Sequence, residues 1–218
     1  MKKVEISEIE ELTIVVDMVN GFAKEGVMAD PYIMHIVPAI RNYMEVALES
    51  PNKAVVVIKE NHDENAKEFD IHPPHCKKGT KEAEMVDELK DLEPYCYTFL
   101  KNSTSAIWAP GFLDFIKTLL KNPKFRKIRV VGCCTDICVM DLSIPLKKLL
   151  DQLNIDVEVI VPTEAVETFQ IKPHTYDEFG KLVEEGIHDR NEWNIMAFKF
   201  MKQAGIQIEE KGYQKVKA

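Results

Sequence analysis

Four sets of reactive side chains stand out in the sequence: Asp17, the acid and imidazole run from Glu60 to His75, Lys101, and the thiols of Gly132-Cys133-Cys134-Thr135-Asp136-Ile137-Cys138-Val139. A cysteine where a strand runs into a helix meets free N–H groups and the positive end of the helix dipole, which favour a thiolate. Amides in the same turn could hold an oxyanion, so nucleophile and oxyanion hole would share one loop. A lone cysteine at such a place is more often a small core residue. An acid and an amine at the ends of other strands fit a thiol needing a base and a charge partner, and equally fit a plain salt bridge.

The segment from Glu60 through His62, Asp63, Glu64, Glu68, Asp70 and His72 to His75 mixes carboxylates and imidazoles as zinc, manganese or iron sites do. A solvated acidic loop has the same composition. His72 and His75 flank Pro73-Pro74, and a polyproline helix spaces such residues about 9 Å apart, which predicts that the two do not grip one ion.

Apolar, β-branched runs at Leu12–Val16, Ala54–Ile58, Tyr97–Leu100, Ile128–Gly132 and Val157–Val161 predict short strands buried on both faces. Between the first two, Ile33, Ile36, Val37, Ile40, Tyr43, Met44, Ala47 and Leu48 repeat at helical intervals, with Asp30 as N-cap, Pro31 at N1 and a bend at Pro38. Similar spacing marks Phe112–Leu120, Val139–Leu150 and Trp193–Met201.

This alternation predicts one α/β domain over residues 1–218: three layers, with a Rossmann-like, mostly parallel sheet of about six strands and helices on both faces. The ligand crevice of such a sheet lies beyond the carboxyl ends of its strands, where Asp17, Glu60, His62, Lys101 and Cys133–Cys138 all fall. Two long irregular segments remain: residues 60–81, a candidate metal-binding loop, and residues 163–190, expected to cover the pocket or contact another subunit, with helical spacing at Phe179, Leu182 and Val183.

A net charge of -8 disfavours nucleic acid and anionic membranes as partners. No apolar run approaches the roughly 20 residues of a membrane span, and five cysteines, an odd number, suit reduced thiols, so a cytoplasmic location is expected. The sequence carries no G-x-S-x-G, H-E-x-x-H, Walker or G-x-G-x-x-G motif.

Asp17 in VVDMVNGF, Lys101 in FLKNSTSAIW and Cys138 in GCCTDICV resemble, in order and spacing, the Asp-Lys-Cys triad of the isochorismatase-like cysteine hydrolases, and within them the nicotinamidase/pyrazinamidase group. The resemblance implies a cis peptide between Cys133 and Cys134, with the amides of Cys134 and Cys138 as oxyanion hole. It also implies one divalent metal ion, zinc before manganese or iron. Its ligands would be Glu60, His62, His75, whose PPHC context with Gly79-Thr80 fits the family, and Glu68, seven residues before that histidine. His72 would be a surface or supporting residue. Phe22 and Trp108 would wall a pocket for an aromatic ring, although either could equally be core. Three residues depart from the family pattern: Glu60 in place of aspartate, and Val19 and Ile107, which bear on substrate choice.

By the same resemblance the substrate is a small amide, nicotinamide, hydrolysed to the acid and ammonia through a Cys138 thioester, in a homo-oligomer. Asp17 would take the thiol proton and return it to the leaving group, with Lys101 holding the acid in place. One alternative is another carboxamide or carbamoyl amidohydrolase with the same triad and a metal-free loop. Another, of a different class, is a non-catalytic metal-binding or interaction domain. Isochorismate cleavage is disfavoured by the cysteine at 138.

Overall fold

The protein, seen as a computed structural model, is described over residue 1 and residues 3–210; the last eight positions of the expected domain lie outside the described residues. Its strands are β1 (Glu11–Val16), β2 (Lys53–Glu60), β3 (Tyr97–Lys101), β4 (Lys127–Cys133), β5 (Glu158–Pro162), β6 (Val166–Glu167), β7 (Thr175–Tyr176), β8 (Leu182–Glu184) and β9 (Gln207–Glu209). Seven of them form one sheet in the order β3-β2-β1-β4-β5-β9, with β6 paired to the end of β4, and all its pairings are parallel. The α-helices are α1 (Asn20–Ala23), α2 (Val37–Leu48), α3 (Asp87–Lys90), α4 (Phe112–Leu119), α5 (Met140–Leu153) and α6 (Arg190–Gln203).

Because side chains alternate along a strand, β1 and β2 feed two cores. Leu12, Ile14 and Val16, with Ala54, Val56 and Ile58, pack under α4, α5 and α6. Val15, Val55 and Val57 face α1, α2 and α3. This is the expected three-layer arrangement, with one strand more than expected. The chain reverses its direction of winding between β1 and β4, and a parallel sheet opens its ligand crevice at that point.

Three local expectations are corrected. Tyr97–Leu100 does form a strand, but at the sheet edge, so Leu100 is 45% exposed rather than buried on both faces. The helix after Asp30 begins as a 3-10 turn over Pro31–Ile36, with Asp30 accepting from Tyr32 N at 2.9 Å, and becomes α-helical only at Val37. Pro38, having no N–H, cannot continue an α-helical ladder back into that turn. The spacing of Phe179, Leu182 and Val183 is not helical: β7 and β8 form an antiparallel hairpin. Asp177 accepts from Phe179 N and Lys181 N at 3.0 and 2.9 Å, and Gly180 adopts φ +77, so turn chemistry overrides the apolar spacing. The hairpin leaves Ile171, Tyr176, Phe179, Val183 and Ile187 more than half exposed.

No helix among the described residues is long and apolar enough to cross a membrane.

Candidate active site

Asp17 and Cys138 reach the same point because β1 and β4 are neighbours in register, Val16 opposite Gly132. Only glycine fits there: at φ +119, a Cβ on residue 132 would lie 2.0 Å from the Val16 carbonyl oxygen. Immediately beyond, Asp17 turns its backbone to φ 51, and the Cys133 thiol donates to its carbonyl at 3.1 Å. The Cys133–Cys134 peptide is cis, as the resemblance implies. From Cys134 the chain enters a π turn over Thr135–Val139, closed by Ile137 N and Val139 N donating to the Cys134 carbonyl, and α5 follows. Cys138 thus sits within the turn, one residue further from the start of α5 than Val139.

Asp17, Lys101 and Cys138 are all buried. Lys101 Nζ, carried in from the end of β3, lies 3.0 Å from Asp17 Oδ2 and 3.8 Å from Cys138 Sγ. Asp17 also accepts from the Glu60 amide at 2.9 Å. Burial raises the Asp17 carboxyl to about 6, against the pull of Lys101. Burial also pushes the Cys138 thiol well above its usual range, and Lys101 only partly offsets this. The thiolate expected from a helix start is therefore corrected: the resting group is a thiol, and its proton must go to a base. For Lys101, burial acts to lower the ammonium, yet Asp17, Cys138 and Glu60 together hold it charged.

Beside this trio lies the metal-type cluster. Glu60, His62 and His75 are buried, with one ligand atom of each within 4.8 Å of the others. Both imidazoles aim Nε2 at Glu60 Oε2, at 3.1 Å from His62 and 2.9 Å from His75. Their other nitrogens are occupied: His75 Nδ1 donates to the Pro73 carbonyl at 2.8 Å, and His62 Nδ1 lies 3.3 Å from Asn102 Oδ1. An acceptor behind each Nδ1 fixes its proton there and turns the Nε2 lone pair to the cluster, as in metal-binding histidines. Glu68 Oε2 lies 3.9 Å from His62 Nε2, buried and without a hydrogen-bond partner among the described residues, while Thr104 N donates to its Oε1 at 3.2 Å. Two inward lone pairs, one carboxylate and an orphaned carboxylate oxygen fit a divalent cation.

The competing acids do not enter this cluster. Asp63 and Glu64 are exposed against Asn102 and Lys77, and Asp70 is exposed near Lys67. His72 supplies no ligand atom; its ring centroid is 6.4 Å from that of His75.

Phe22 is buried with its ring centroid 5.5 Å from His75, at the edge of the cluster. Trp108 is 73% exposed, while its neighbours Ala106 and Ile107 fill the core. Asn102 was not legible as a functional residue, although its place next to Lys101 was a cue; Asp136 stood in the motif without its partner, His188.

A thiol, an acid and an ammonium meet at the switch point of a parallel sheet, where an α/β hydrolase binds its ligand. Residues 11–178 match the isochorismatase domain, and the chain belongs to that family. Nicotinamidase 1 of Arabidopsis thaliana is 30% identical over 142 residues, a stretch covering 59% of this chain and 56% of that protein. The chain thus matches little more than half the length of that relative. Among solved structures, the nicotinamidase of Bacillus subtilis has a TM-score of 0.69 at 21% identity, covering 93% of this chain and 100% of its own. A pyrazinamidase of Pyrococcus horikoshii in complex with zinc scores 0.67 at 24% identity, over 93% of this chain and 99% of that one. The N-carbamoylsarcosine amidase of Thermoplasma acidophilum scores 0.66 at 22% identity, over 95% and 99%. These structures share the fold.

Proposed function

We propose that the protein is a cysteine amidohydrolase that converts nicotinamide to nicotinate and ammonia. The observation that carries this reading is the convergence of Asp17 Oδ2 and Cys138 Sγ on the single Nζ of Lys101, at 3.0 and 3.8 Å. Asp17 takes the thiol proton, and Lys101 screens the carboxylate from the thiolate as charge moves between them. The sulfur attacks the carboxamide carbon, and the amides of Cys134 and Cys138 face the developing oxyanion. Asp17 then gives the proton to departing ammonia. Water, deprotonated by the same carboxylate, cleaves the thioester and restores the thiol.

Glu60, His62, His75 and Glu68 would hold one divalent ion, zinc before manganese or iron, and Phe22 would stand against the substrate ring. The ion would supply a Lewis-acid anchor for the pyridine nitrogen, so its contribution is orientation.

A second reading is supported by Glu60, whose Oε1 already accepts from Lys101 at 2.6 Å: the same triad would act on another carboxamide or a carbamoyl group with the loop metal-free. Ammonia release from nicotinamide, pyrazinamide and N-carbamoyl amino acids, with bound metal quantified, separates the two. Turnover of nicotinamide that tracks metal content supports the first reading; carbamoyl turnover that ignores metal supports the second. No ammonia from any of them contradicts both.

A further inference from the structure

The mechanism leaves one buried acid of the nucleophile turn unused. Asp136 lies two residues before Cys138, its side chain 5% exposed, and it caps no helix end. Its Oδ2 is 3.0 Å from His188 Nε2, and its Oδ1 is buried without a hydrogen-bond partner among the described residues.

His188 is held on every side. Its ring is stacked between Phe169, at 3.9 Å between centroids, and Trp193, at 4.8 Å, each within 8° of parallel. Its Nδ1 donates to the Phe169 carbonyl at 2.9 Å. The residues around it are fixed in turn. Asp189 caps α6 by accepting from Glu192 N, Arg190 Nε donates to the Thr168 carbonyl at 2.9 Å, and Asn194 donates to Glu167 at 2.6 Å. Glu167 belongs to β6, paired with Cys133 at the end of β4.

The brace therefore grips the nucleophile loop at both ends: β6 holds Cys133, and His188 holds Asp136. With both ring nitrogens occupied by the Phe169 carbonyl and by Asp136, His188 is no base for Cys138. We infer that His188 is a positioning residue, which through its bond to Asp136 sets the turn carrying Cys138 and the oxyanion amides. The inference rests on the reading of Cys138 as nucleophile. A donor displaced by about 1 Å can lose a hundredfold in rate, and the loss falls on the transition state rather than on substrate binding.

The test measures kcat and KM for ammonia release, with thermal melting as a control on folding. His188→Phe keeps the stack and removes the ring nitrogens; we expect kcat to fall about tenfold to a hundredfold with KM within about twofold. Asp136→Ala should give the same split. Asp136→Asn should recover most of kcat, because its amide nitrogen donates to Nε2 while Nδ1 keeps the Phe169 carbonyl. Should His188→Phe not fold, the Asp136→Ala and Asp136→Asn comparison decides alone. Wild-type kcat in His188→Phe, equal losses in both Asp136 variants, or a change confined to KM would overturn the inference while leaving the amidase reading intact. A wild type without activity, or an active Cys138→Ala, would remove that reading and this inference with it.

Discussion

Lys101 Nζ lies 2.6 Å from Glu60 Oε1, while the other oxygen of the same carboxylate faces His62 and His75. One buried carboxylate thus joins the proposed nucleophile machinery to the proposed metal site. The extra methylene of a glutamate, where the family pattern has aspartate, is present in the residue that spans the two. Burial disfavours its charge, but Lys101 holds the Glu60 carboxyl well below the usual range.

Replacing Lys101 by Met should cost more than activity. The ammonium is the buried counter-ion of Asp17 and Glu60, and removing one partner of such a cluster costs about 3–5 kcal/mol. Denaturant unfolding should show a loss of that order, with ammonia release abolished. A fully stable Lys101→Met would mean that the two carboxylates do not depend on it.

The pH dependence follows from Asp17, raised to about 6 by burial against the pull of Lys101. As a base it works only when ionised, so kcat/KM should fall as pH drops through about 6 and level off above. Stability has the opposite sign. The folded value exceeds the ordinary 3.8, so the folded state binds the proton more tightly, and this group's contribution is lost as pH rises from that value through about 6. A kcat/KM profile flat from pH 5 to 8 would contradict the assignment.

Metal binding should depend on residues behind the ligands as well as on the ligands. His62→Ala and His75→Ala should lose bound ion outright. Asn102→Ala, which frees His62 Nδ1, should weaken affinity about 10- to 100-fold. Stripping the ion should raise KM for nicotinamide more than it lowers kcat, since the proposed role is orientation. Metal content by mass spectrometry together with steady-state kinetics checks both.

The exposed hairpin supports reading residues 163–190 as a contact between copies rather than as a cover for the pocket. A two-stranded hairpin is marginal in water unless packed against something. Light scattering should give a mass above that of one chain, and Phe179→Asp with Val183→Asp, both at exposed positions, should lower it. A wild-type monomer would contradict the contact.

How much of this was legible in the sequence depended on how locally each feature is specified. Asp17, Lys101 and Cys138 could be placed because each follows an apolar run that reads as a strand, and parallel strands end together. Glu60, His62 and His75 followed from the same logic plus a family likeness. Leu100 misled because an edge strand has the same apolar composition as a central one. The hairpin misled because Leu182 and Val183 sit at helical spacing from Phe179, while Asp177 and Gly180 carry the opposite instruction. The Asp136–His188 contact, spanning 52 residues, is set by how α6 docks, which no local pattern encodes. The Cys138 thiol was misjudged because burial outweighs the turn's polarity, and burial is a property of the fold.

The most direct test of the central claim is the intact mass of the protein acid-quenched during turnover of nicotinamide, followed by peptide mapping. The expected result is a gain equal to one nicotinoyl group, carried on the Cys138 peptide and absent from Cys138→Ala, which releases no ammonia. Turnover without any adduct, combined with undiminished ammonia release by Cys138→Ala, would contradict it.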